Sequence, residues 1–147
     1  MNHDDIAEAI FGSFDGLTGM MGVVVATLLS HHSAALVITG IGLAIAATVS
    51  MAGGDFLSKG SKQRAAVMGL ATFVGSVIPV LPFIIIHGWQ ADGLCACLVL
   101  LTAIWISEQR ATLGHVSLTL AYVQTFTILV VAVGLTAAVT ALLGTAG

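Results

Sequence analysis

Met51 and Asp55 stand four residues apart in the stretch Ser50-Met51-Ala52-Gly53-Gly54-Asp55. On a helix that spacing puts a thioether and a carboxylate on one face. The stretch closes a long apolar run and precedes the most basic short segment of the chain. It therefore predicts a carboxylate at the cytoplasmic mouth of a membrane helix, with a metal-binding sulfur one turn deeper. Asp15, inside the first apolar run, adds a second carboxylate. Carboxylates suit manganese and ferrous iron, whereas a thioether is a poor ligand for magnesium or calcium. A Met beside an Asp thus discriminates against abundant magnesium. A carboxylate in low-dielectric surroundings tends to hold a proton, which an arriving dication displaces. Asp15, Met51 and Asp55 are accordingly the candidate metal ligands, and divalent metal and protons the candidate exchanged ions.

These side chains need a scaffold, and composition says which kind. Of 147 residues, 58% are hydrophobic and 7% charged, with a mean hydropathy of +1.09. Soluble domains carry roughly 25% charged residues. The chain cannot cover a globular surface with polar groups and belongs in a bilayer. Its apolar runs do not alternate with polar residues, which excludes a β-barrel reading. A net charge of −3 suggests neither nucleic acid nor an anionic surface as partner. The N-terminus is acidic, unlike the basic start of a signal peptide.

Five apolar runs predict an all-α, single transmembrane domain over 1–147, with spans at about 6–29, 34–57, 65–86, 92–107 and 113–143. In the first, Gly12, Gly16, Gly19 and Ala26 form a small-residue stripe at 100° per residue, with Gly22 and Asp15 at its edges. Such a face lets another helix approach closely, and an ionisable group within a span is functional by default. In the second, Gly40, Ala44, Ala47, Met51 and Gly54 share a face that Asp55 borders. Pro79 and Pro82 predict a kinked third span with freed carbonyls near Gly75 and Ile78. The fourth span is expected to be short, ending before a loop of Glu108, Gln109 and Arg110. Cys95 and Cys97 should point to nearly opposite sides and form neither a mutual disulfide nor a CxxC motif. Tyr122 and Gln124 predict a polar helix–helix contact. Two further polar groups admit a metal-binding or an ordinary reading: the N-terminal His3, Asp4 and Glu8, and the His31-His32 turn.

Lys59, Lys62 and Arg64 crowd together and, with Arg110, are all the Lys and Arg in the chain. The positive-inside rule puts them in the cytoplasm. Five spans then place the N-terminus inside and the C-terminus outside, with every Lys and Arg on one side. Counted from the outer turn, Asp15 lies roughly 21 Å and Met51 roughly 27 Å deep, within reach of one another across a tilted hairpin.

Phe14-Asp15-Gly16-Leu17-Thr18, followed by Met20-Met21-Gly22-Val23, resembles the first-span signature of vacuolar iron transporters and their nodulin-like plant relatives. Ser50-Met51-Ala52-Gly53-Gly54-Asp55-Phe56-Leu57-Ser58 resembles the second-span signature, with Asp55 where Glu is usual. Ala65-Ala66, then Gly75 and Ile78-Pro79-Val80-Leu81-Pro82-Phe83, resembles the start of the third. The resemblance covers about the first 86 residues. It implies a dimeric five-span carrier that exports ferrous iron or manganese from the cytosol in exchange for protons, with Asp15 and Met51 as ligands and Asp55 at the acidic position. Many members carry a glutamate-rich cytoplasmic domain between spans two and three, which here shrinks to about Ser58–Arg64.

The expectation is thus a transporter rather than an enzyme, with no cofactor beyond the carried Fe2+ or Mn2+. The bilayer and a second copy of the chain are its expected partners, and a prokaryotic plasma membrane its expected location. A ring of two such chains would double the ligands around one ion, since ferrous iron and manganese favour about six. Two rival classes are a non-transporting helical subunit or assembly factor, and an intramembrane aspartyl protease. The latter uses Gly-x-Gly-Asp, and here the motif is Ala52-Gly53-Gly54-Asp55.

Overall fold

A computed structural model of the chain describes residues 3–29, 33–86, 88–114 and 116–144, with the first two residues of α1 and of α2 described by backbone alone. It is an up-and-down bundle of five helices: α1 His3–Leu29, α2 Ser33–Lys59, α3 Lys62–Ile85, α4 Trp89–Leu113 and α5 Leu118–Gly144. All five are long and apolar enough to cross a membrane. At 1.5 Å per residue, helices of 24 to 27 residues span about 36–40 Å, more than the ~30 Å hydrocarbon core.

The ends follow from local chemistry. Gly60 at φ +70° terminates α2, its N–H donating to the Phe56 carbonyl at 2.8 Å. That left-handed conformation favours glycine. Ser61 caps α3, its hydroxyl accepting from the Arg64 N–H at 3.4 Å. The turn between α2 and α3 is therefore two residues long, with Lys59 ending one helix and Lys62 opening the next. Most helices run slightly past the expected spans, and two expectations are corrected: the last helix begins at Leu118 rather than near 113, and the helix before it is longer than expected. The fourth helix is not short: Glu108, Gln109 and Arg110 are helical, and α4 closes only at Gly114, whose N–H donates to the Arg110 carbonyl at 2.9 Å. The polar run stays helical because it has tertiary partners. Arg110 donates to Gln124 Oε1 at 2.9 Å and Thr125 Oγ1 at 3.2 Å. Tyr122 donates to Glu108 Oε1 at 3.4 Å. The Tyr122 and Gln124 contact expected from sequence is this α4–α5 seam.

The bundle is built on α1 and α3, which run parallel. Gly12 lies against the Met68 carbonyl and Gly16 against the Thr72 carbonyl, while Gly75 lies against the Ser13 carbonyl. A Cβ on Gly12 would sit 2.7 Å from the Met68 oxygen, and on Gly16 or Gly75 closer still to its neighbour. Only hydrogen at these positions lets two backbones come so near. Antiparallel α2 covers the other side of α3, with Gly40 against Val80 and Gly69 against Ala52 and Thr48. The apolar core draws on every helix: Leu17 and Met20 of α1, Leu36 and Ala44 of α2, Val80 of α3, Val99 and Ile106 of α4, and Leu129 of α5. Two buried hydroxyls bond back along their own helices, Thr72 to Met68 O at 2.8 Å and Ser107 to Ala103 O at 2.7 Å. That satisfies them without water. Large apolar side chains such as Ile38, Leu57, Ile85, Val130 and Leu142 are exposed, an apolar exterior compatible with a bilayer. Pro79 and Pro82 are both buried within α3, which continues through them to Ile85. Cys95 is buried and Cys97 exposed, both as free thiols.

Candidate functional site

The starts of α1 and α3 and the end of α2 meet at one end of the bundle. The α4–α5 turn joins them there, since Arg110, Gly114 and Val116 line a groove together with Ala7, Phe11 and Phe14 of α1. All four Lys and Arg side chains of the chain, Lys59, Lys62, Arg64 and Arg110, stand on helix segments at this end. So do the carboxylates Asp5, Glu8, Asp55 and Glu108.

Within it, Lys59 joins two helices. It stands one turn beyond Asp55 and pairs with its Oδ1 at 3.0 Å. The same ammonium pairs with Glu8 Oε1 of α1. The Asp55 side chain is only 3% exposed, and its Oδ2 is buried with no hydrogen-bond partner among the described residues. A buried acceptor left so costs about 1–3 kcal/mol, and more when charged. Asp5, also buried, accepts from Gln63 Nε2 of α3 at 3.0 Å. Asp55 therefore does more than border a small-residue face, as the sequence suggested. It is the enclosed centre of a polar cluster shared by α1 and α2.

Asp15 is positioned differently. It is exposed, on an α1 stripe with Ala7, Phe11 and Gly19. Its carboxylate makes no hydrogen bond or ion pair with the described residues. Seven residues separate it from Glu8, which puts both on one α1 face with Asp15 about 10 Å further along the axis. The small-residue stripe of α1 is split. Gly12 and Gly16, 60–100° round from Asp15, are taken up by α3, whereas a Cβ on Gly19 would meet nothing within 4 Å. On α2, Gly40 and Ala44 are buried, Met51 is half-buried and Gly54 is exposed. Among the described residues, no three His, Cys, Asp or Glu side chains gather closely enough to hold one ion. Glu8, Lys59 and Asp55 are brought together; Asp15 stands apart from them. The sequence reading missed Lys59 as a partner of Asp55, although the i,i+4 spacing signals it. It also missed the alignment of Glu8 with Asp15, visible as an i,i+7 repeat. His31 and His32, and the side chains of His3 and Asp4, lie outside the described residues.

Comparison of the chain with family models, curated proteins and solved structures found no match.

Proposed function

We propose that this chain is a membrane carrier that moves ferrous iron or manganese out of the cytosol in exchange for protons, working as a homodimer. The observation that carries the proposal is the Asp15 carboxylate. It stands within an apolar helix, exposed and unpartnered by the described residues, on the face that leads to Glu8 and the buried Asp55. A carboxylate so placed is costly in a bilayer unless an ion or a second chain meets it. The motifs around Asp15, Met51 and Pro79, similar to those of vacuolar iron transporters, support the same function. Met51 supplies the soft ligand and Asp55 the acidic entrance.

One chain gathers too few ligands for an ion that favours about six. Two copies meeting along the open Phe11–Asp15–Gly19 stripe would bring two Asp15 carboxylates to a two-fold axis, and the proposed ligand set takes Met51 from each copy as well. Lys59 ties Asp55 to Glu8 near the start of α1, whereas Asp15 lies about 10 Å, or about two helix turns, further along that helix. That offset favours a pathway of successive carboxylates over a proteolytic dyad, and a carrier over an enzyme.

The proposal is tested with purified protein in sealed vesicles, offered ferrous iron, manganese, cobalt, zinc and magnesium with and without a proton gradient. Gradient-dependent uptake of iron or manganese is expected, and no uptake of any ion would return the chain to a structural subunit. Met51→Leu keeps side-chain volume and removes only sulfur. It should leave manganese uptake within about threefold and weaken discrimination against magnesium; unchanged selectivity would make Met51 a packing residue. Orientation follows from the clustering of all four cationic side chains at one end. In a background lacking Cys95 and Cys97, Ser61→Cys should react with an impermeant reagent only from the cytoplasmic side, and Gly144→Cys only from the other. Reaction of both from one side would break the topology. A prokaryotic plasma membrane is the proposed location.

A further inference from the structure

We infer that Glu8 and Asp55 form a divalent-cation site at the charged end of the bundle, and that the Lys59 ammonium is its tethered occupant, displaced when the ion arrives. The inference deepens the carrier proposal, from which it takes only the class of ion. Three observations lead to it. One ammonium bridges carboxylates from two different helices, Glu8 of α1 and Asp55 of α2. The Asp55 carboxylate is enclosed, and Oδ2 has no partner among the described residues, so the pair has acceptor capacity that Lys59 does not use. The Lys59 side chain is 42% exposed while Asp55 is 3% exposed. The cation can therefore leave and the carboxylate cannot.

Charge fixes the class of ligand. Glu8 and Asp55 together carry two negative charges, of which Lys59 offsets one. A dication offsets both, and it takes oxygen ligands in a geometry that two carboxylates and water can supply. Lysine suits the role because its ammonium is a compact charge on a flexible four-carbon stem. Arginine at this position would grip a carboxylate through two parallel bonds and resist exchange. The consequence is a threshold: an ion occupies the entrance only by outcompeting an ammonium held next to it. A second consequence is mechanical. Lys59 ties the end of α2 to the start of α1 only while the site holds no ion.

Two measurements test this on the full chain in detergent, with Mn2+ as the probe. In the wild type, Lys59 should be shielded by its two carboxylates from an amine-acylating reagent. Saturating Mn2+ should raise its modification at least about threefold by mass spectrometry, with Lys62 as the unchanged internal reference. The rise should persist in Asp15→Asn, which separates this entrance from any site at Asp15. Lys59→Gln removes the competitor and should tighten Mn2+ binding about tenfold, read by the loss of the free-ion resonance signal, whereas Lys59→Arg should not tighten it. Acylation of Lys59 that ignores Mn2+ would overturn the inference, whatever the folding of the variants. So would a wild type that binds no Mn2+ at millimolar concentration. Mn2+-dependent exposure of Lys59 in a protein that moves no metal across vesicles would sink the carrier proposal and leave this site standing.

Discussion

Asp15→Asn should lower divalent-metal uptake at least about a hundredfold in vesicles and leave the thermal stability of the protein unchanged. The stability half follows from the structure. The carboxylate is exposed and bonded to no described residue, so an isosteric amide removes no contact inside the chain. The uptake half follows from charge. A unit charge about 4 Å from another contributes about 4 kcal/mol at an effective dielectric near 20, and a dication about doubles that. If desolvation of the ion cancels two thirds, about 2.7 kcal/mol remains, which is a factor of about a hundred. Asparagine keeps the shape and the oxygen and loses only that charge. Initial rates of manganese uptake with matched protein incorporation provide the comparison. Wild-type rates from the variant would remove Asp15 from the pathway and, with it, the observation on which the carrier proposal stands.

The five helices were legible because nothing but continuous apolar sequence is needed to specify them. Their ends were less so, for reasons visible at particular residues. Glu108-Gln109-Arg110 reads as a loop by polarity, yet it is helical because Arg110 finds Gln124 and Thr125 on a neighbouring helix. A tertiary partner of that kind leaves no local trace. The same limit applies to the site. The Met51 and Asp55 spacing could be read from one helix, and the burial of Asp55 agrees with a residue that faces inward. The bridge from Lys59 to Glu8 depends on the register of α1 against α2, 51 residues apart in sequence. The glycine stripe was legible as a close-packing face, but its partner was not. Helices adjacent in sequence are the natural first expectation, and α1 in fact spends Gly12 and Gly16 on α3. The complementary small residue Gly75 was visible within α3. What sequence lacks is the parallel offset that brings Gly75 to Ser13.

That division of the α1 stripe leads to the second large effect, in which one substitution at two glycines should have opposite consequences. Gly16→Leu should abolish the folded bundle. A first side-chain carbon at Gly16 already collides with the Thr72 carbonyl and would lie 2.8 Å from Ser76 Oγ, and neither backbone can yield without parting α1 from α3. Overpacking a core side chain costs about 1–3 kcal/mol; here the obstacle is backbone and the added group has four carbons, so the loss should exceed that range and approach the whole stability of about 5–15 kcal/mol. Aggregation in detergent and loss of a cooperative thermal transition are the expected readouts. Gly19→Leu, one turn further along, should leave the transition in place, because a Cβ there meets nothing within 4 Å in the chain. A Gly16→Leu protein that melts like the wild type would mean α1 and α3 do not pack as described. Gly19 then reports on the assembly. If two copies meet along the open stripe, a leucine beside Asp15 should hold them apart, and light scattering should show a folded monomer where the wild type is a dimer. A wild-type dimer that tolerates Gly19→Leu would move the two-fold axis away from Asp15, and one chain would then have to complete the metal shell with fewer protein ligands than the ion prefers.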